Sequence, residues 1–153
     1  MSLTQQSIPY EKVEAWLVSY SDWKARLAYA QAELKHIPGL TRALHEWVPH
    51  SNGRKQEPLL RMIIHRIGIT EYEIPLLLSR IGLLDYAFSA LTPEENSFVR
   101  LRYMDKLALP IIMERLAFSR RSLFYHRKRI LHKIYKQIKD RTILLELDSL
   151  GES

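Results

Sequence analysis

LALPIIMERLAFSRRSLFYHRKRILHKIYKQIKDR, residues Leu107 to Arg141, is the stretch on which the reading of this chain turns. Pro110 suits the first turn of a short apolar helix, Leu109 to Leu116. Ala117, Phe118 and Ser119 make a three-residue turn. Ser119 is a good N-cap for a second helix, from Arg120 to about Lys139. Basic and aromatic residues interleave along that helix, and Leu123, Phe124, Ile130, Leu131, Ile134 and Ile138 mark its inner face. Two helices joined by so short a turn have the sequence shape of a helix-turn-helix, whose second helix enters a DNA major groove. Arg120 to Arg141 holds nine Lys/Arg and one acid, Asp140, a net +8. The whole chain is +6, so the remainder sums to −2. The excess positive charge belongs to one segment.

Upstream, Thr92-Pro93-Glu94-Glu95 is the clearest helix start: an N-cap Thr, Pro at N1 and Glu at N3. That helix carries Phe98, Val99, Leu101, Arg102 and Tyr103 to about Met104, with Asp105 and Lys106 as a short turn. Before it, Thr70-x-x-Glu73 reads as a capping box, with Ile69 and Ile74 as a hydrophobic staple. The helix it opens should start near Pro75 and run to about Leu91, burying Leu76, Leu77, Ile81, Leu84, Phe88 and Leu91. Pro58 should open a shorter helix, Leu59 to Ile67, closed by Gly68. Pro49 to Glu57 has turn chemistry and reads as a linker, and Leu40 to Val48 as a short helical segment. At the front, Val13, Trp16, Leu17, Tyr20, Leu27, Ala30 and Leu34 fall on one stripe, so one long helix should run from Pro9 to Pro38-Gly39. With no convincing strand pattern, the fold should be all-α. The division expected is an N-terminal helical interaction region, 1–56, and a helical DNA-binding domain, 57–153, with its helix-turn-helix at 92–139. The apolar tail after Arg141 packs back or meets another subunit.

Composition bounds the function. At 46 % apolar and 26 % charged, the chain has the balance of a globular protein. The absence of cysteine excludes disulfides and Cys-based zinc sites and suits a reducing cytoplasm. Acidic and polar residues interrupt the first 20 residues, so they do not read as a signal peptide. No run approaches a membrane span. The six histidines form no i, i+4 pair and no HExxH, so neither a metal site nor a cofactor is expected. There is no GxGxxG, P-loop or GxSxG, and no reason to expect an enzyme.

The stretches Leu91-Thr92-Pro93-Glu94-Glu95 through Leu101-Arg102-Tyr103, and Ile112 through Arg120, resemble a sigma-factor region-four helix-turn-helix. Within that superfamily, the size of the chain and its leading WLVSYSDWKARL helix look like the phage activators of the ArpU and RinA type. The motif match runs from about Leu84 to Tyr135. Ile111 stands where that motif usually has Glu, Met113 where it has Ala, and Ala117 where the turn often has Gly. The first two make the supporting helix more apolar. The resemblance implies a phage or prophage late-gene activator, acting at promoters with RNA polymerase.

The first turns of the second helix should reach base edges, which nominates Arg120, Arg121, Ser122, Tyr125, His126 and Arg129. Lys128, Lys133, Lys136 and Lys139 look like phosphate-positioning residues. Double-stranded DNA is the expected partner. The aromatic first helix, with Tyr10, Trp16, Tyr20, Trp23 and Tyr29, has two readings. One is core packing; the other is a homodimer or partner surface serving a two-fold operator. Two rival functions stay open: a small-terminase-like packaging protein using the same helix-turn-helix, and a pure interaction protein that binds a sigma factor or the polymerase.

Overall fold

A computed structural model describes residues 8–37 and 53–147, leaving aside the side chains of 53–56. Every element among the described residues is a helix. In order they are α1 (Tyr10–His36), α2 (Gly53–Gly68), α3 (Ile74–Phe88), α4 (Pro93–Val99), α5 (Leu109–Leu116), α6 (Arg120–Ile138) and α7 (Ile143–Glu146). Two five-residue π-helical turns, Ile69–Glu73 and Arg100–Met104, continue α2 into α3 and lengthen α4. The all-α expectation holds. None of these helices is long and apolar enough to cross a membrane.

The expected break at Gly68 is absent. Gly68 has ordinary helical angles (φ −56°, ψ −46°), and Thr70 caps nothing. Ile74 N–H instead bonds Ile69 O, five residues back, so one helical path runs from Gly53 to Phe88. Pro75 explains the widened turn. It lacks an N–H and would crowd the preceding turn, and a π-turn relieves both. Pro58 likewise lies inside α2 instead of opening it. Helix formers at 54–57 carry the helix back to Gly53. The linker expected at Pro49 to Glu57 is therefore helical from 53 onward. Its first residues, and the segment Leu40 to Val48, lie outside the described residues.

A single core joins α1, α3, α4, α5, α6 and α7. Val13, Trp16, Leu17 and Tyr20 from α1 meet Leu83, Leu84 and Ala87 from α3 and Leu123, Ile130, Leu131, Ile134 and Ile138 from α6. Between the two readings of the first helix, packing accounts for Trp16 and Tyr20, which are buried, while Tyr29 stays exposed. α1 thus packs into the same core as α3 and α6. Its far half is tied to α2 by polar bonds: Arg66 donates to the carbonyls of Leu34 and Ile37, both at 3.2 Å, and His65 meets Glu33 at 2.7 Å. Those carbonyls belong to the end of α1, where backbone acceptors lack helical partners.

Of the two readings of the tail, its described part, α7, takes the first and packs back through Leu145. Leu145 of α7 is buried, and Arg80 Nε donates to Leu144 O at 2.9 Å. Arg80 also lies over the Trp23 ring, 5.3 Å from its centroid.

Candidate nucleic-acid interface

The second half of the chain builds the candidate surface from two caps and one left-handed residue. The Thr92 capping box forms in full: Thr92 N–H donates to Glu95 Oε1 at 2.9 Å, and Glu95 N–H donates to Thr92 Oγ1 at 3.2 Å. α5 ends at Ala117, which takes the left-handed conformation (φ 56°, ψ 38°), and Phe118 N–H reaches back to Met113 O at 3.0 Å. Ser119 Oγ then accepts Ser122 N–H at 3.1 Å and starts α6. The turn of Ala117, Phe118 and Ser119 is the one read from the sequence, as are both helix boundaries to within a residue.

Burial divides α6 into two faces. Leu123, Ile130, Leu131, Ile134 and Ile138 are buried against the core. Phe124, expected with them, is 39 % exposed. One helical residue turns about 100°, so Phe124 follows Leu123 out of the core and onto the side of Arg120, four residues earlier. The outer face comprises Arg120, Arg121, Phe124, Tyr125, Lys128, Arg129, His132 and Lys136, with no acid anywhere between 120 and 138. The guanidinium of Arg120 sits over the Phe124 ring at 5.9 Å, and Tyr125 is 63 % exposed.

The nominated residues therefore separate. Arg120, Arg121, Tyr125, Lys128 and Arg129 share the outer face. Ser122 is partly buried, and its N–H is taken by the cap. His126 stacks flat on Phe118, centroids 4.6 Å apart and planes 10° from parallel. It lines a cleft of about 170 Å³ with Thr92, Glu94, Glu95, Phe98, Arg129 and Lys133. Lys133 turns into the same cleft, where Nζ donates to Glu95 Oε1 at 2.7 Å. Burial alone would raise the Glu95 carboxyl; Lys133 and the Thr92 backbone outweigh it and hold the group below the usual carboxylate value.

Arg127 went unnominated. Its guanidinium points inward and binds Glu14 of α1 through Nε (3.1 Å) and Nη2. The Tyr103 hydroxyl donates to the same carboxylate at 2.7 Å. Burial opposes ionisation of Glu14, but these donors prevail and leave its carboxyl below the usual range. Tyr103 is pushed up, first by burial and then by Glu14. A sequence signal for Arg127 did exist: it lies four residues after Leu123 and three before Ile130, on the inner stripe. Its partner, 113 residues away, carried none.

Among the described residues no group of three or more His, Asp or Glu side chains is placed to hold a metal ion. Compared with protein-family models, characterised proteins and solved structures, the chain matches none.

Proposed function

We propose that the chain is a sequence-specific DNA-binding transcriptional regulator that lays the outer face of α6 in the major groove of double-stranded DNA. The observation that carries this reading is the make-up of that face: cations and aromatics, with no acid along 19 helical residues. A phosphate-lined groove attracts such a surface, and an α-helix, about 10–12 Å across with its side chains, fits the groove's width of about 12 Å. Arg120, Arg121 and Arg129 can form paired hydrogen bonds to guanine edges, and Tyr125 can donate to a base or a phosphate. Lys128 and Lys136 suit phosphates, which position the helix without reading sequence. The internal pairs Arg127–Glu14 and Lys133–Glu95 hold the helix from behind, so that its aim is set before DNA arrives.

The resemblance to sigma-factor region four and to the ArpU and RinA type extends the proposal. On that basis the protein activates late genes of a phage or prophage, in the cytoplasm, with RNA polymerase as partner. Two copies on a two-fold operator would place two α6 helices one DNA turn apart.

Titration of a duplex selected from a random-sequence library tests the proposal. Arg121→Ala and Arg129→Ala should each weaken binding by about 1–3 kcal/mol and relax the sequence preference. If both variants bind as tightly and as selectively as wild type, the site assignment is wrong.

A further inference from the structure

We propose that Phe124 is a specificity residue that reads the C5 methyl group of thymine; the inference rests on the DNA-binding reading of α6. The core of α6 is complete without this ring, because Leu123, Ile130, Leu131, Ile134 and Ile138 fill it. Phe124 stands on the outer face, with Arg120 and Lys128 one turn away on either side and Tyr125 beside it. Arg120 covers the ring at 5.9 Å, a cation–π contact that limits the ring's freedom. Beside the ring opens a groove of about 400 Å³, walled by Leu109, Pro110, Met113 and Leu123.

A phenyl ring offers no hydrogen bond to a phosphate or to the polar edges of guanine, adenine or cytosine. The apolar group that a base pair presents in the major groove is the thymine methyl, and Phe is among the side chains suited to it. The methyl would enter against the outer edge of Phe124, over the apolar groove. A protein ligand fits less well, because the cations Arg120, Arg121 and Lys128 surround the ring and the helix carries no acid.

The test uses full-length protein and a duplex selected by it from a random-sequence library. Each thymidine is replaced in turn by deoxyuridine, which removes only the methyl. Wild type should lose about fourfold in affinity at one position per bound helix, the effect of burying one methyl group. Phe124→Leu should keep most of that loss, and Phe124→Ala should bind thymine and uracil duplexes equally. The comparison is internal to each variant, so partial unfolding cannot imitate it. A wild type that never distinguishes thymine from uracil overturns the inference and leaves DNA binding intact, as does an alanine variant that still distinguishes them. A wild type that selects no duplex overturns both.

Discussion

Replacing Glu14 by Gln keeps the size of the side chain and removes its charge, at the point where α1 meets α6. The native carboxylate accepts from Tyr103 at 2.7 Å and from Arg127 Nε at 3.1 Å, and it takes the Arg127 terminal nitrogen as well. An amide offers one oxygen for these three donors and turns an NH₂ toward a guanidinium that can only donate. A hydrogen bond to a charged group contributes about 1.5–3 kcal/mol, but the pair keeps some solvent contact, which weakens it. A loss of about 2 kcal/mol is therefore expected. At about 2–4 °C per kcal/mol for a chain of this size, the melting midpoint should fall by about 4–8 °C. The sign with pH follows from the depressed Glu14 pKa. Its stabilisation is present above the ordinary carboxylate value of about 4.3 and is lost as pH falls through the lower folded-state value. The gap between wild type and Glu14→Gln, measured by urea unfolding, should thus be full near neutrality and close in acid. Combining Glu14→Gln with Arg127→Met should give a coupling of at least about 0.5 kcal/mol. Equal stabilities at neutral pH, or a gap that persists unchanged in acid, would refute the role assigned to this carboxylate.

Two further predictions concern the frame of α5 and α6. Ala117→Gly should stabilise the chain by about 0.5–1 kcal/mol in thermal unfolding, because Ala117 is exposed and pays the left-handed penalty at φ 56°; a destabilised variant would mean that the turn is not left-handed there. Thr92→Ala should cost about 1 kcal/mol and speed amide exchange at Glu95, whose N–H loses its acceptor; unchanged exchange at that amide would contradict the capping box.

The legible parts of the fold were those with short-range chemical causes. Thr92 with Glu95, and Ser119 before a helix former, announce themselves within four residues. The three-residue turn was legible for the same reason, even with Ala where Gly would fit more easily. The path from Gly53 to Phe88 was not. Gly68 and Pro75 ordinarily punctuate helices, and a π-turn that absorbs Pro75 leaves no residue signature of its own. The candidate surface was legible as a composition, and less so as an arrangement. Phe124 was drawn inward by its hydrophobicity, though its helical angle places it outside. His126 and Lys133 were drawn outward by their polarity, though Phe118 and Glu95 hold them inside. For His126 and Lys133 the deciding contact comes from outside α6.

The two faces of α6 are therefore chemically alike in charge and opposite in role. Arg127 and Lys133 carry the same sign as Arg121 and Lys128, yet each is matched by a carboxylate from a different helix, Glu14 of α1 and Glu95 of α4. Both carboxylates are themselves held by further donors, Tyr103 for the first and the Thr92 backbone for the second. Partial burial makes a pair of this kind costly to misplace, since a displaced partner leaves a charge without its counterion. The inward cations thus fix rotation and tilt, while the outward cations have no acid on their own helix, and under the proposed function DNA phosphates would balance them. A helix with seven cations in 19 residues would repel itself if all of them faced one way. Neutralising two internally reduces that repulsion and turns them into anchors, so one charge-rich sequence also orients the helix. That is why the first helix cannot be treated as an accessory: it supplies Glu14, and with it one of the two points that set where Arg121, Phe124 and Tyr125 are aimed.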